Sequence, residues 1–167
     1  MRTIIHIGYP KTGTTYLQKS VFPSLNKQHV NYIPYTAIQK GPLKQICRTY
    51  SDSINVDNYR NSVPLDPARI NLLSYEGFIG NWRTGALNQI EILRSLKKIF
   101  GNPRILVIIR NQESMVLSLY KQYVQEGGTS TLKNFLYSTN DNTFTNWEFL
   151  NYLKTFERLT EIFGLEN

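Results

Sequence analysis

The chain has 167 residues, 41% of them hydrophobic, which suffices for one domain with a buried core but is too few for two ordinary domains. Its 19 lysines and arginines outnumber its 12 aspartates and glutamates, and the formal net charge of +7 favours anionic partners. The basic residues are scattered, with no run longer than Lys97-Lys98, which argues against nucleic acid as the partner.

A strand, a glycine-containing loop and a helix are predicted at the start of the chain. Residues 3–8 are mostly β-branched and apolar, and they predict a short buried strand. Residues 14–26 predict a helix that a threonine caps and that ends or kinks at Pro23. The apolar face of this helix, at helical spacing, consists of Leu17, Val21 and Leu25. Residues 30–33 predict a second short strand.

The rest of the chain is predicted to alternate between strands and helices. An irregular segment punctuated by proline and glycine holds one short helix at residues 43–50. Further strands are expected at residues 70–75 and 104–110, and helices at residues 86–100, 112–126, 131–137 and 146–163. The sequence RILVIIR at residues 104–110 does not alternate, which is typical of a central parallel strand buried on both faces. The predicted fold class is α/β, a three-layer sandwich with a mostly parallel central sheet.

Two of the predicted helices end in the same way. The helix before the aliphatic strand ends in IFG at residues 99–101, and the last helix ends in IFG at residues 162–164. Because the first of these ends leads into a strand, we expect a further strand beyond Asn167, so that residues 1–167 form a single domain truncated at its C-terminus. A natural short domain that ends in a helix is the alternative.

The sole cysteine and the apolar runs bear on the compartment. Cys47 excludes an internal disulfide and a multi-cysteine metal site, and its predicted role is that of a small core hydrophobe. The strand predicted from residue 3 leaves no room for a signal peptide, and the longest aliphatic run, residues 105–109, is too short to span a bilayer. We therefore expect a soluble, cytoplasmic protein without an integral membrane segment, while the oligomeric state stays open.

The stretch HIGYPKTGTTYLQ, residues 6–18, joins the first predicted strand to the first helix. Gly8 and Gly13 have the spacing of the phosphate loop GxxxxGK[ST], but Thr14 stands where the lysine belongs and Lys11 lies inside the loop. A helix N-terminus that follows a strand offers unpaired N–H groups and the positive end of the helix dipole to an anion. The sequence therefore predicts an anion-binding loop whose lysine reaches an unusual oxygen.

The segment YPKTGTTYLQ, residues 9–18, resembles the 5′-phosphosulfate loop of the sulfotransferases, which use 3′-phosphoadenosine 5′-phosphosulfate (PAPS) and are similar in fold to P-loop NTPases. The resemblance implies that Lys11 contacts the oxygen that bridges phosphorus and sulfur. It implies that the 5′-phosphate is bound by Thr12, Gly13, Thr14 and Thr15. It further implies PAPS as sulfuryl donor, adenosine 3′,5′-bisphosphate (PAP) as product, no metal ion, and a small-molecule or glycan acceptor.

The segment RNQESMVLS, residues 110–118, resembles a second feature of that family. In the family, an arginine that closes a strand and a serine in the following helix bind the 3′-phosphate of the cofactor, which here implies Arg110 and Ser118. The physical setting agrees, because ligands of open α/β sheets bind at the carboxyl ends of the strands. Ser118 also shares a polar helix stripe with Ser114.

Glu76 is the predicted general base, because it ends the strand INLLSYE and should lie at the same sheet edge as the loop. Some carbohydrate sulfotransferases use a glutamate base; a solvated glutamate at a strand end is the alternative. His6 is a rival by residue type, but its place inside the first strand favours a hydrogen-bonded core histidine. Phe78, Trp82 and Arg83 could form an acceptor wall or simply pack over the core.

The leading hypothesis is a PAPS-dependent sulfotransferase that acts on a hydroxyl or amine acceptor, with carbohydrates as one candidate class. A P-loop kinase or NTPase with an atypical loop is the enzyme alternative. It is disfavoured because Thr14 replaces the lysine and because the aliphatic strand ends in Arg110 rather than in an aspartate for Mg²⁺. A non-catalytic fragment that binds PAP or another nucleotide is the alternative from a different class.

Overall fold

A computed structural model describes residues 2–137 and 147–165, which form an α/β fold around one parallel sheet. The strands are β1 (Arg2–Gly8), β2 (Val30–Ile33), β3 (Ile70–Tyr75) and β4 (Arg104–Ile108). Their order in the sheet is β2-β3-β1-β4, and every neighbouring pair is parallel. Ile7 lies opposite Tyr75 and Gly8 opposite Ile108, so β1, β3 and β4 end at one edge of the sheet. The predicted α/β class is confirmed.

The helices connect and flank these strands. Helix α1 runs continuously through an α-helical segment (Thr14–Tyr16), a π-helical segment (Leu17–Val21) and a second α-helical segment (Phe22–Ser24). The other α-helices are α2 (Tyr35–Lys40), α3 (Val56–Asn61), α4 (Gln89–Phe100), α5 (Gln112–Gln125), α6 (Leu132–Tyr137) and α7 (Tyr152–Phe163). Short 3₁₀ helices occur at Pro42–Arg48, Ser51–Ser53, Glu76–Ile79, Trp82–Thr84 and Trp147–Leu150.

The π-helical segment changes which face of α1 is buried. A wider turn rotates the following residues relative to a regular α-helix. As a result Phe22 is buried in the core, whereas Leu25 is 37% exposed and lies just after the helix. The predicted apolar face was therefore wrong at Leu25, because regular helical spacing does not anticipate a π turn. The helix does end next to Pro23, as expected.

Strand β4 differs from its prediction in position and length. In the described residues it pairs with β1 alone and forms an edge of the sheet. Leu106 is 38% exposed, and Ile109, beyond the end of the strand, is 59% exposed. The prediction of a central strand buried on both faces was wrong, because an apolar run does not reveal whether a strand has neighbours on both sides.

Several helices also differ from the pattern-based prediction. The helices α2 and α3 were missed, and the helix expected at residues 43–50 is the 3₁₀ helix Pro42–Arg48. Helix α4 begins at Gln89 rather than at Ala86, because Ala86 has a left-handed backbone with φ of 55°. The helix predicted at residues 146–163 is divided at Asn151, which caps α7, and residue 146 lies outside the described part.

The core lies on both sides of β1 and β3 and is closed by α4 and α7. Ile5, Ile7 and Leu73 have no exposed surface, and the aliphatic side chains of α4 join the same cluster. Lys97 of α4 donates a hydrogen bond to the carbonyl of Ile162, which ties α4 to α7. No helix within residues 2–137 and 147–165 combines the length and apolar character needed to cross a bilayer.

Candidate active site

The loop after β1 contains two residues with left-handed backbone, Lys11 with φ of 62° and Gly13 with φ of 82°. The carbonyl of Tyr9 accepts hydrogen bonds from Thr12 Oγ1 at 2.7 Å and from Thr14 Oγ1 at 3.5 Å. These two hydroxyl groups therefore stabilise the loop through bonds to its own backbone. The sequence assigned both threonines to the phosphate, and in this structure their hydroxyl groups bind the loop backbone.

Helix α1 begins directly behind this loop. Gly13 is its N-cap and provides no side-chain cap, so the predicted threonine cap was wrong. The first intrahelical bond runs from the Leu17 N–H to the Gly13 carbonyl, at 3.1 Å. The N–H groups of Thr14, Thr15 and Tyr16 precede that bond and have no backbone partner in the described part of the chain. They are the donors that a helix N-terminus offers to an anion.

Glu76 and Thr14 meet in front of Gly8. A Cβ atom on Gly8 would lie 2.9 Å from Thr14 Oγ1 and 3.3 Å from Glu76 Cγ, so a side chain at this position would push the two apart. The Glu76 carboxyl borders the open cleft, but the surrounding protein removes part of its hydration and raises its pKa. The Thr14 hydroxyl and the Lys11 ammonium group partly offset this rise in pKa. The structure thus brings Lys11, Thr14 and Glu76 together.

Arg110 lies against the same loop. Its Nη1 donates to the Lys11 carbonyl at 3.0 Å, and its Nε donates to Ser114 Oγ at 2.9 Å. Ser118 is half-buried one helical turn beyond Ser114, and no contact with Arg110 is found among the described residues. The structure therefore places Arg110 beside the loop after β1 and makes Ser114 the serine in direct contact with its guanidinium group.

Helix α7 holds both the loop and Arg110, which sequence reasoning missed. Tyr9 Oη donates to Thr155 Oγ1 at 2.7 Å, and burial raises the pKa of this phenol to about 12. Tyr152 packs edge-on against the Tyr9 ring, with 5.0 Å between ring centroids, and donates from Oη to the Arg110 carbonyl at 2.7 Å. No local sequence pattern predicts these contacts, because Tyr9 and Thr155 are 146 residues apart.

A cleft of about 1130 Å³ opens in front of the loop and Glu76. The 3₁₀ helix Pro42–Arg48 contributes Lys44 and Arg48 to its lining, and Trp82 lines another side. Phe78 is fully buried, so of the two roles left open for it the structure favours packing in the core. Of the other two residues considered for an acceptor wall, Trp82 does line the cleft, while the side chain of Arg83 lies outside the described part.

His6 and Cys47, the two other residues whose side chains could take part in a reaction, both pack with the core. His6 is fully buried, its Nδ1 is 2.8 Å from Ser74 Oγ, and burial lowers its pKa to about 4. The prediction of a hydrogen-bonded core histidine is confirmed. Cys47 packs against the core, and burial raises the pKa of its thiol to about 11. Within residues 2–137 and 147–165, no group of three His, Cys, Asp or Glu side chains could hold a metal ion.

Comparison with known proteins gave one match. A family model described as Sulfotransferase domain matches residues 2–165. Searches of the curated proteins and of the solved structures found no significant match. The matched region spans the loop after β1, Glu76, Arg110 and helix α7. The chain therefore belongs to the sulfotransferase domain family.

Proposed function

We propose that this protein binds PAPS at the loop between β1 and α1 and transfers its sulfuryl group to a hydroxyl or amine in the adjoining cleft. One observation carries the proposal: in a chain of this family, Lys11, the N-terminus of α1 and Glu76 meet around Gly8 at the mouth of a large cleft. A group for the leaving phosphate and a group for the acceptor proton are thus side by side.

The residues at this edge of the sheet fit the chemistry of PAPS. Gly13 borders the cleft, and a Cβ atom there would meet no protein atom within 4 Å, so the helix N-terminus is open to an anion. A guanidinium group has five N–H donors. Arg110 uses its Nε and Nη1 for Ser114 and the Lys11 carbonyl, which leaves donors for a phosphate group. We assign Arg110, with Ser118 on the same helix stripe, to the 3′-phosphate.

The proposed roles follow from charge and proton affinity. When bound, PAPS supplies a sulfuryl group whose departure leaves negative charge on the 5′-phosphate. Lys11, together with the N–H groups of Gly13, Thr14 and Thr15, stabilises that charge. Thr12 keeps the loop in shape through its bond to Tyr9. Glu76 accepts the proton of the acceptor, and its raised pKa makes it a better base than an ordinary carboxylate.

Competing functions make different predictions for nucleotide binding. The kinase alternative loses support because the chain matches the sulfotransferase family over residues 2–165. Calorimetric titration with PAP and with ADP tests what remains, because the two nucleotides differ chiefly in the position of the second phosphate. We expect clear preference for PAP, and a preference for ADP in the presence of Mg²⁺ would overturn the proposal.

Turnover separates an enzyme from a binding fragment. We expect PAP release from PAPS in the presence of a panel of phenols, amines and sugars, with no added metal. Binding of PAP without any release across the panel would favour the non-catalytic fragment. The cytoplasmic location stays a prediction, and localisation of the protein in cells tests it. The continuation of the chain past Asn167 also stays a prediction, and the completed reading frame tests it.

A further inference from the structure

Two cations stand on one wall of the cleft, on the 3₁₀ helix Pro42–Arg48. Lys44 and Arg48 line the cleft on either side of Cys47, and both positive charges act on the Cys47 thiol. The sulfur of Cys47 lies 3.4 Å from the carbonyl of Gly77, the residue that follows Glu76. The helix that carries the two cations therefore contacts the segment that follows the proposed general base.

Neither cation has a partner of opposite charge in the described part of the chain. Elsewhere on the surface, cations pair with carboxylates, as in Arg69–Asp66, Arg94–Glu91 and Lys98–Asp52. The acidic residues that line the cleft have other contacts, because Glu76 interacts with Thr14 and Lys11, and Glu126 accepts a bond from Gln122. Lys44 and Arg48 thus keep their hydrogen-bond donors for a ligand.

Packing fixes the direction in which this short helix points. Leu43 and Ile46 are buried at 1% and 0% exposure, which anchors the opposite face of the helix in the core. Asn88 Nδ2 donates to the Cys47 carbonyl at 2.7 Å and holds the C-terminal end of the helix. The anchored backbone of this helix thus keeps Lys44 and Arg48 on the side that lines the cleft.

The rest of the lining indicates a hydroxylated ligand. Asn88 Oδ1 is buried and accepts no hydrogen bond from the described residues, although its residue borders the cleft. Side-chain amides recur around the cleft, in Asn81, Gln122 and Gln125. Trp82 adds an indole of the kind that packs against the apolar face of a sugar ring.

We propose that the acceptor is an anionic sugar whose carboxylate, phosphate or sulfate group binds Lys44 and Arg48. This inference rests on the proposed function, since it names the acceptor class of the same cleft. Charge-assisted hydrogen bonds from ammonium and guanidinium groups are stronger than neutral ones and suit all three anionic groups. A cleft lined by unpaired cations also attracts anions from a distance.

The test compares sugars that differ in charge. The ¹⁵N-labelled protein, saturated with PAP so that the loop is filled, is titrated with galacturonic acid and its methyl ester, with glucose 6-phosphate and glucose, and with N-acetylglucosamine 6-sulfate and N-acetylglucosamine. Amide shifts of residues 43–48 report binding at the wall. We expect the anionic member of at least one pair to bind about tenfold more tightly than its neutral partner.

Matched variants separate the site from net charge. The double variant Lys44→Ala/Arg48→Ala should lose the anion preference, while Lys27→Ala/Lys133→Ala, which removes two exposed cations that do not line the cleft, should keep it. Equal binding within all three pairs, no shift at residues 43–48, or equal loss in both variants would overturn the inference. PAP affinity is measured on each sample, so absent PAP binding would refute the proposed function separately.

Discussion

The loop after β1 and the wall formed by Pro42–Arg48 border the same cleft, but they differ in whether their polar groups are bonded to other parts of the protein. The loop is tied to distant parts of the chain, since Tyr9 bonds to Thr155 and Arg110 bonds to the Lys11 carbonyl. The wall is anchored through the buried side chains of its apolar side and a bond from Asn88 to its backbone, and its cations have no oppositely charged partner among the described residues. This difference fits the proposal of a donor site at the loop, where the polar groups are bonded within the protein, and of an acceptor site at the wall, where the cations are not.

The largest effect is expected for Glu76→Gln, which removes the proposed base beside the loop. The amide keeps the size of the side chain but cannot accept a proton, so transfer should fall about 10²- to 10⁴-fold. In the wild type, transfer should rise with pH through the raised pKa of Glu76, because the base acts when deprotonated. Initial rates of PAP release across a pH series measure both effects.

The control for Glu76→Gln is the binding of PAP and the thermal stability of the variant. PAP affinity should stay within about twofold, because the base faces the acceptor. The melting temperature should not fall, since partial burial already disfavours the charged carboxylate. Full activity of the variant would show that Glu76 is an ordinary glutamate at the end of a strand.

The next largest effect is expected at Lys11, where the ammonium group affects transfer and the left-handed backbone affects stability. Both Lys11→Ala and Lys11→Gly should lower transfer about 10²- to 10³-fold, because each removes the charge that stabilises the leaving phosphate. Lys11 has a φ of 62°, so the glycine variant should be about 1 kcal/mol more stable than the alanine variant. Urea unfolding measures the difference; equal stability would show that the loop relaxes, and unchanged transfer would refute the role of the ammonium group.

The sequence disclosed the parts of this site that depend on local order. The glycine spacing revealed the loop, the apolar runs located β1 and β3, and the ends of two strands pointed to Glu76 and Arg110. Each of these features follows from neighbours along the chain and from the rule that parallel strands end at a common edge. Their position in the fold agrees with the pattern, while their chemical roles stay predictions.

The parts that depend on packing between distant segments were not predictable. The edge position of β4 depends on which strands surround it, and an apolar run carries no such information. The direction of Lys44 and Arg48 is set by the burial of Leu43 and Ile46, which is a property of the folded core. Irregular helices with π or 3₁₀ turns also break the regular spacing on which patterns rely.

The buried hydrogen bond between Tyr9 and Thr155 tests whether substitutions at the loop cost more stability than substitutions at the wall. Tyr9→Phe or Thr155→Val should each cost about 1–3 kcal/mol of stability, because each leaves a buried hydroxyl short of a partner. The double variant should cost less than the sum of the two. Lys44→Ala on the wall should change stability by about 0.5 kcal/mol or less. Additive losses in the cycle would mean that the bond contributes nothing to the bracing of the loop.

The smallest effect is expected for Tyr152→Phe, which removes one hydroxyl from the brace and keeps the ring against Tyr9. Loss of the bond to the Arg110 carbonyl should lower stability by about 0.5–1.5 kcal/mol. The turn that carries Arg110 should then be held less firmly, and PAP affinity should fall about two- to tenfold. Tyr137→Phe, at a tyrosine that is 77% exposed, is the matched control and should change neither quantity. A Tyr152 variant that loses stability but binds PAP as tightly as the wild type would show that the bond to the Arg110 carbonyl does not support the proposed donor site, and the contribution of α7 to that site would then rest on the bond between Tyr9 and Thr155.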